Sequence, residues 1–248
     1  MPKMNLLKII IAHKLREVKQ KGKKRDFLRA IKNPREGNVS IIAEIKLVSP
    51  SAGKLGDEKE LKRRAITYEK GDVDAISMVV DKKYFGGDLE FIRRIKSIVS
   101  LPVLAKDFII DPFQIYEMKA YGADAVLLIA KIVSANQLVK LVKLAKKVNI
   151  EPIVEIQNDK ELDSAIKTET NTIAVNSRDL ETFRVDIDKA CKLITKIPSE
   201  FVSLGFSGVS CSDDVNKYKV AGAKGVLIGT SLMRKENIRG FLRESKHL

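Results

Sequence analysis

From Val39 onward the chain alternates between two hydrophobic rhythms. Short runs rich in Val, Ile, Leu and Ala are followed by longer stretches whose apolar residues recur every three or four positions. The first rhythm is that of strands buried on both faces, the second that of amphipathic helices. The runs predict strands at Val39–Lys46, Asp74–Val80, Pro102–Phe108, Ala125–Ile129, Glu151–Ile156, Thr172–Asn176, Phe201–Ser207 and Gly225–Gly229. The amphipathic stretches predict helices at Glu58–Lys70, Leu89–Val99, Pro112–Tyr121, Ala135–Val148, Asp159–Lys167, Asp186–Ile197, Ser212–Ala221 and Lys235–Ser245. Start signals such as Asp111-Pro112 and Ser212-Asp213-Asp214 support the helices. Gly122 and Gly222 sit just past two of them, where a left-handed residue ends a helix. Eight strand–helix repeats predict an α/β fold, the (β/α)8 or TIM barrel. An open doubly wound sheet would need a Gly-x-Gly-x-x-Gly turn after a strand, and the sequence contains none.

The segment before Val39 has a different pattern. Leu6, Leu7, Ile10, Ile11, Leu15 and Val18 have helical spacing within Met4–Lys21. Gly22-Lys23-Lys24 interrupts that helix, a short helical piece follows at Asp26–Ile31, and Asn33–Asn38 reads as a loop. Residues 1–38 are thus expected to form a helical extension that caps one end of a single barrel domain over 39–248.

The chemistry is concentrated where strands end. Ile41–Ser51 begins as an apolar run and ends in Ser49-Pro50-Ser51. Glu44 and Lys46, two residues apart, project to one side of that strand. An acid and a base on an oily strand are costly unless paired or used. They read equally as a buried ion pair or as one wall of an active site. In a (β/α)8 barrel the active site lies at the C-terminal strand ends. Those ends deliver Glu44 and Lys46, then Lys106, Glu155, Asn176 with Arg178, and Lys131 after the fourth strand. Ser207-Gly208 and Gly229-Thr230-Ser231 follow the seventh and eighth strands, where barrels often bind phosphate through backbone N–H groups and helix N-termini.

Composition narrows the classes. Apolar residues make up 44% of the 248 positions, enough for a sizeable core, yet no apolar run reaches the roughly 18 residues of a membrane span. The N-terminus lacks the apolar stretch of a secretory signal, so a cytoplasmic location is expected. Cys191 and Cys211 have no metal or redox spacing, and His13 and His247 lie near the chain ends. No metal site is expected, and acid–base work falls to carboxylates, lysines or tyrosines. The net charge of +14 admits nucleic-acid binding, but the lysines are dispersed along helix patterns, as in Lys140, Lys143, Lys146 and Lys147, without interleaved aromatics. A solvated, Lys-rich surface of the thermophile kind is the plainer account, and it would attract anionic substrates. Neither a nucleic-acid nor a membrane partner is expected.

Several motifs give the chain a family resemblance. They are Ile-Ala-Glu-Ile-Lys through Ser-Pro-Ser (Ile42–Ser51), Lys82–Gly87, Pro102–Phe108, Gly122–Ile129, Asn176–Leu180, Ser207–Val209 and Ile228–Met233. Together they resemble indole-3-glycerol phosphate synthase, almost end to end. The resemblance implies a lyase of tryptophan biosynthesis. It would convert 1-(2-carboxyphenylamino)-1-deoxyribulose 5-phosphate to indole-3-glycerol phosphate, with loss of CO2 and water and without a cofactor. It implies Lys106 as the acid of ring closure and Glu155 as the proton carrier of dehydration. Lys46 would pair with substrate anions, with Glu44 holding its geometry. Ser49, Asn176 and Arg178 would contact polar groups, and Phe85, Phe108, Leu127 and Leu227 would wall the aromatic ring. Ser207, Gly208, Gly229 and Thr230 would hold the phosphate. The working unit is expected to be a monomer. A lowered Lys106 pKa, from neighbouring cations and apolar groups, is expected to suit the acid to neutral pH.

The pattern breaks at four places. The family usually reads Ala-Glu-Ser-Gly where this chain has Gly205-Phe206-Ser207-Gly208, and Leu-Thr where it has Val79-Val80. Ala174 stands for a usual Gly, and Val48 for a longer residue. With Phe206 and Val80 both read as facing the mouth, and Gly205 as room for the ring, a diverged or engineered pocket is the alternative. Phe206 would then stack on an aromatic substrate. A desolvated Glu44 or Glu155 would abstract a proton as in a Kemp elimination, or a desolvated lysine would form a Schiff base for retro-aldol chemistry. A binder that keeps the phosphate site and has lost the chemistry is the non-enzymatic reading.

Overall fold

A computed structural model describes residues 25–247. Eight parallel strands close into a barrel: β1 (Ser40–Ile45), β2 (Ala75–Val79), β3 (Val103–Lys106), β4 (Ala125–Ile129), β5 (Glu151–Ile156), β6 (Thr172–Asn176), β7 (Val202–Phe206) and β8 (Gly225–Ile228). Each pairs with its sequence neighbour, and β8 returns to β1 in a register running from Ser40↔Gly225 to Ala43↔Ile228. The predicted strands are right in number and order. Several overshoot by a residue or two, because their polar ends leave the ladder for the functional loops.

Alternation along each strand separates two apolar clusters. Outward residues such as Ile41, Ala43, Val126 and Leu128 pack under the helices. Inward residues such as Ile42, Leu104, Leu127, Ile153, Leu204 and Leu227 fill the barrel. The helices are α1 (Phe27–Lys32), α2 (Glu58–Glu69), α3 (Lys82–Phe85), α4 (Glu90–Lys96), α5 (Pro112–Ala120), α6 (Ala135–Lys147), α7 (Asp159–Ile166), α8 (Ile187–Ile194), α9 (Ser212–Val220), α10 (Thr230–Arg234) and α11 (Ile238–Lys246). Capping boxes start α5 (Asp111 with Gln114) and α6 (Ser134 with Gln137), satisfying N–H groups that a helix start leaves open. Gly122 and Gly222 take φ of 93° and 103°, as their places after helices required.

The lower, N-terminal end of the barrel is plugged by α1. Phe27 and Ile31 are buried within the inner cluster, and the Ser40 hydroxyl donates to the Ile31 carbonyl at 2.7 Å. Two buried carboxylates bolt this end. Asp124, just before β4, accepts from the Arg25 and Val103 backbone N–H groups, both at 2.9 Å, and from Lys96 Nζ at 2.6 Å. Asp74, just before β2, accepts from the N–H groups of Arg35 (2.6 Å) and Ile41 (2.8 Å) and from buried Lys246 Nζ (3.3 Å). The capping expected of the leading segment is therefore made by residues 25–40; the helix expected at Met4–Lys21 lies outside the described residues.

Three features at the upper end differ from expectation. The helix predicted at Lys235–Ser245 begins only at Ile238, as α11, capped by the Asn237 side chain, and an unpredicted short helix, α10, precedes it and ends at an extended Lys235. A two-residue hairpin pairs Val48 with Lys54 and Ser49 with Gly53. The Lys82–Phe85 turn is a helix, begun by Asp81, whose carboxylate accepts from Tyr84 N–H at 2.7 Å.

Candidate active site

The C-terminal strand ends open into a cavity of about 670 Å3. Inward parity brings Glu44, Lys46, Lys106, Glu155 and Asn176 to its wall, with Arg178 on the loop after β6. Glu44, 2% exposed, sits at the centre. One of its carboxylate oxygens meets Lys46 Nζ at 2.7 Å and the other meets Lys106 Nζ at 3.0 Å. Burial alone would raise the Glu44 pKa. The two lysine charges, with their hydrogen bonds, overcome burial and hold it at about 2. Both readings of the pair seen in the sequence thus hold together: it is a buried ion pair, and it is cavity wall.

Lys106 answers differently from its expectation. Burial disfavours its charge, but the Glu44 and Glu155 carboxylates outweigh burial and the repulsion of Arg178, so its pKa is raised, not lowered. It is an ammonium at neutral pH, a charged proton donor. Glu155 is the opposite kind of group. Desolvation dominates the charge of Lys106 and the hydrogen bond from Asn176, and its pKa is raised. Asn176 Nδ2 donates to Glu155 Oε1 at 3.1 Å, while Glu155 Oε2 is buried with no hydrogen-bond partner. Asn176 Oδ1 in turn accepts from the Arg178 N–H at 3.0 Å. The Arg178 guanidinium donates to the Phe183 carbonyl at 3.0 Å, which folds that loop over the rim.

Two chemical ends flank this centre. At one, Phe85 and Phe108 lie with ring centroids 6.2 Å apart and share the wall with Leu127 and Leu227. At the other, Ser207, Gly208, Gly229 and Thr230 line the cavity where α10 begins. Ser207 takes φ of 69° and Gly208 82°, so two residues of positive φ in succession turn the chain sharply at the end of β7. The Ser231 hydroxyl donates to the Val209 carbonyl and ties the two loops. A Cβ at Gly229 would lie 2.3 Å from Glu44 Oε1, so only glycine fits beside the carboxylate. Ser49 also lines the cavity, its hydroxyl 3.2 Å from that of Ser51 in the hairpin, and Arg234 of α10 donates to the Ala52 carbonyl at 3.0 Å.

Four sequence expectations fail here. Phe206 is inward but fully buried and does not line the cavity: it lies beneath Lys106, whose Nζ is 5.5 Å from the ring centroid. Val80 belongs to the outer cluster, and Val79 is the residue facing the mouth, in register with Lys106. Gly205 makes room for Tyr218, not for Phe206, since a Cβ there would come within 2.3 Å of the Tyr218 ring. Lys131 pairs with Glu181 at 2.9 Å and is not part of the cavity wall. These corrections remove the stacking ring, the Glu44 base and the Lys106 nucleophile from a repurposed pocket, and the desolvated Glu155 is common to both readings. The stacking ring is covered, Glu44 is held ionised, and Lys106 is held as the ammonium that cannot attack a carbonyl. Asp81 and Tyr84, which follow the second strand in the sequence, line the wall as that place implies, whereas Leu180 and Phe183 were missed. Phe183 had one signal, a large aromatic in a polar loop.

Among the described residues no group of three or more His, Cys, Asp or Glu side chains is placed to hold a metal ion. No described helix is long and apolar enough to cross a membrane.

Fold and mouth together place the chain among (β/α)8-barrel enzymes with a buried acid–base centre. The sequence model of one such family, indole-3-glycerol phosphate synthase, matches residues 5–245, and the chain belongs to that family. An indole-3-glycerol phosphate synthase of Caldanaerobacter subterraneus subsp. tengcongensis is 41% identical over 211 residues, covering 84% of this chain and 82% of that one. Another, of Acetivibrio thermocellus, is 37% identical over 246 residues, covering 98% and 94%. Among solved structures, a 3-hexulose-6-phosphate synthase superposes with a TM-score of 0.65 at 15% identity, covering 84% of this chain and 98% of that one. That likeness concerns the fold alone.

Proposed function

We infer that this chain is a lyase of tryptophan biosynthesis that closes the pyrrole ring of indole-3-glycerol phosphate. Its substrate is 1-(2-carboxyphenylamino)-1-deoxyribulose 5-phosphate, and its other products are CO2 and water. The observation that carries the chemistry is the Lys46–Glu44–Lys106 bridge beside Glu155 in one mouth. In this reading the substrate's aromatic ring lies against Phe85, Phe108, Leu127 and Leu227, and its phosphate reaches Ser207, Gly208, Gly229 and Thr230. The reacting carbons then lie over Lys106. The Lys106 ammonium donates its proton to the ketone oxygen as the carboxylate-bearing ring carbon attacks the carbonyl carbon. Loss of CO2 restores the aromatic ring. Glu155, ionised in this step, takes a proton from the neighbouring methylene carbon as the hydroxyl, given a second proton by Lys106 recharged from solvent, leaves as water, which forms the indole double bond.

Charge arranges the rest. Lys46, tethered by Glu44, faces the substrate's anionic groups, and Asn176 and Arg178 hold its polar ones while Asn176 also fixes Glu155. Acid and base are set by different causes: carboxylates keep Lys106 charged, while burial raises the pKa of Glu155. The same reading takes the working unit as a single chain in the cytoplasm, all groups coming from one mouth; light scattering checks the first part.

The test is turnover of the carboxyphenylamino-deoxyribulose phosphate, followed by indole fluorescence, in the full chain and in Lys106→Ala. Turnover that vanishes in the variant supports the assignment. A folded wild type that binds the substrate without turning it over would refute the activity. Near-full activity of Lys106→Ala would refute the role of Lys106.

A further inference from the structure

The charged groups around Lys106 come from β1 to β3, from β5 and from the loop after β6. Glu44 and Lys46 reach it from β1, Asp81 and Asp107 lie along the same wall after β2 and β3, Glu155 comes from β5, and Arg178 from the loop after β6. The β7 side offers no charge. It offers Phe206, whose ring centroid is 5.5 Å from Lys106 Nζ. The ring is fixed in place. Phe206 is fully buried among inner residues that include Leu204, Ala174 and Leu227, and it is in register with Asn176 and Leu227. Its carbonyl accepts from Ser177 N–H at 2.9 Å and from the Tyr218 hydroxyl at 3.2 Å.

We propose that Phe206 is a positioning residue for Lys106, its ring and the Glu44 carboxylate holding the ammonium from two sides so that its remaining N–H faces the cavity. An ammonium has three donors, and here one goes to Glu44 Oε2 at 3.0 Å. Only partly exposed, the cation gains more from an aromatic face than one fully in water would. The ring has a property that a second carboxylate at this place would lack. It attracts the ammonium and cannot accept its proton, so the proton stays available for the substrate ketone. Phe206 touches neither cavity nor substrate and acts only through Lys106.

This rests on the reading of Lys106 as the acid, and the experiment separates the two. Phe206 is replaced by mono-, di- and trifluorophenylalanine, which keep its shape and drain the ring face of negative charge, and by Leu and Glu. Two quantities are read. The titration of Lys106 itself is followed in resting enzyme by the pH dependence of its acetylation, quantified by mass spectrometry. Turnover is measured separately as kcat and KM. Along the fluorinated series the Lys106 midpoint is expected to fall stepwise and kcat to fall with it, while KM stays constant. Phe206→Leu is expected to lose about tenfold in kcat, the equivalent of one modest, partly desolvated cation–ring contact. A trifluorinated protein with the wild-type Lys106 midpoint and kcat would overturn the proposal, as would a Phe206→Glu variant that turns over faster than wild type. If Lys106→Ala keeps its activity, the assignment of the acid falls, while the acetylation midpoints still decide whether the ring holds the cation.

Discussion

Replacing Glu44 by Gln removes the single group on which both lysines depend. Glu44 is 2% exposed, and its side-chain partners Lys46 and Lys106 are 14% and 21% exposed, so Gln would leave two ammonium groups facing each other with little water. The cost follows from the displaced pKa. The gap between the ordinary 4.5 and about 2 corresponds to on the order of 3 kcal/mol at ~1.36 kcal/mol per pH unit. That matches the lower end of what breaking a buried pair costs, about 3–5 kcal/mol. In a chain of this size about 3 kcal/mol lowers Tm by roughly 6–12 °C. The sign is set by direction. A carboxylate held below its unfolded value stabilises the fold fully above about pH 4.5 and loses that contribution as pH falls toward 2. Thermal melts of wild type and Glu44→Gln, followed by circular dichroism from pH 8 to pH 3, are therefore expected to show a gap that is constant down to about pH 5 and narrows below it. A gap of less than about 2 °C at pH 7, or one that does not narrow below pH 4.5, would refute the reasoning.

Three further outcomes are expected. Gly229→Ala puts a Cβ 2.3 Å from Glu44 Oε1, so the bridge must shift; steady-state kinetics should show KM raised at least about tenfold, and an unchanged KM would mean that α10 yields without disturbing the site. Asp124→Ala leaves Lys96 and the N–H groups of Arg25 and Val103 without their acceptor; urea unfolding should register a loss of about 3 kcal/mol, and a loss under about 1 kcal/mol would show that water replaces the carboxylate. In the pH dependence of kcat/KM, the acid limb reports Glu155 becoming ionised and should lie above its ordinary 4.5, while the alkaline limb reports Lys106 losing its proton and should lie above its ordinary 10.5. An alkaline limb near neutrality would mean that Lys106 acts as a neutral amine.

The barrel was legible because parallel strands buried on both faces leave uninterrupted Val, Ile and Leu runs, and helices between them leave another period. Parity then assigned the mouth: counting by twos from Ile42 reaches Glu44, and from Leu104 reaches Lys106. Reading Val80 as inward broke that parity, since counting by twos from inward Ala75 reaches Val79, the residue that lines the mouth. Depth was not legible at all. Phe206 and Asn176 are register partners on adjacent strands, both inward, yet Asn176 reaches the cavity and Phe206 lies under Lys106. Nor can a sequence rank the neighbours of a buried charge, which is how Lys106 was expected to be lowered when two carboxylates raise it. The hairpin at Val48–Lys54 escaped because two-residue strands have no period.

The two ends of the barrel use the same residue types for different ends, and the partners explain the difference. Asp74 and Asp124 each pair with a lysine too, but they are held first by two backbone N–H groups of segments far apart in the sequence, donors that cannot give up a proton or move without unfolding. Such a carboxylate can only fasten. Glu44 and Glu155, by contrast, accept from side chains alone. Glu44 accepts from the tips of two lysines, and Glu155 keeps one oxygen without a partner. These donors and lone pairs can turn toward a substrate at the cost of side-chain torsions alone. A buried acid bound by main chain is therefore part of the scaffold. One bound by side-chain cations, or only half bound, remains available for reaction, which singles out Glu44 and Glu155 among the four without appeal to their position in the fold.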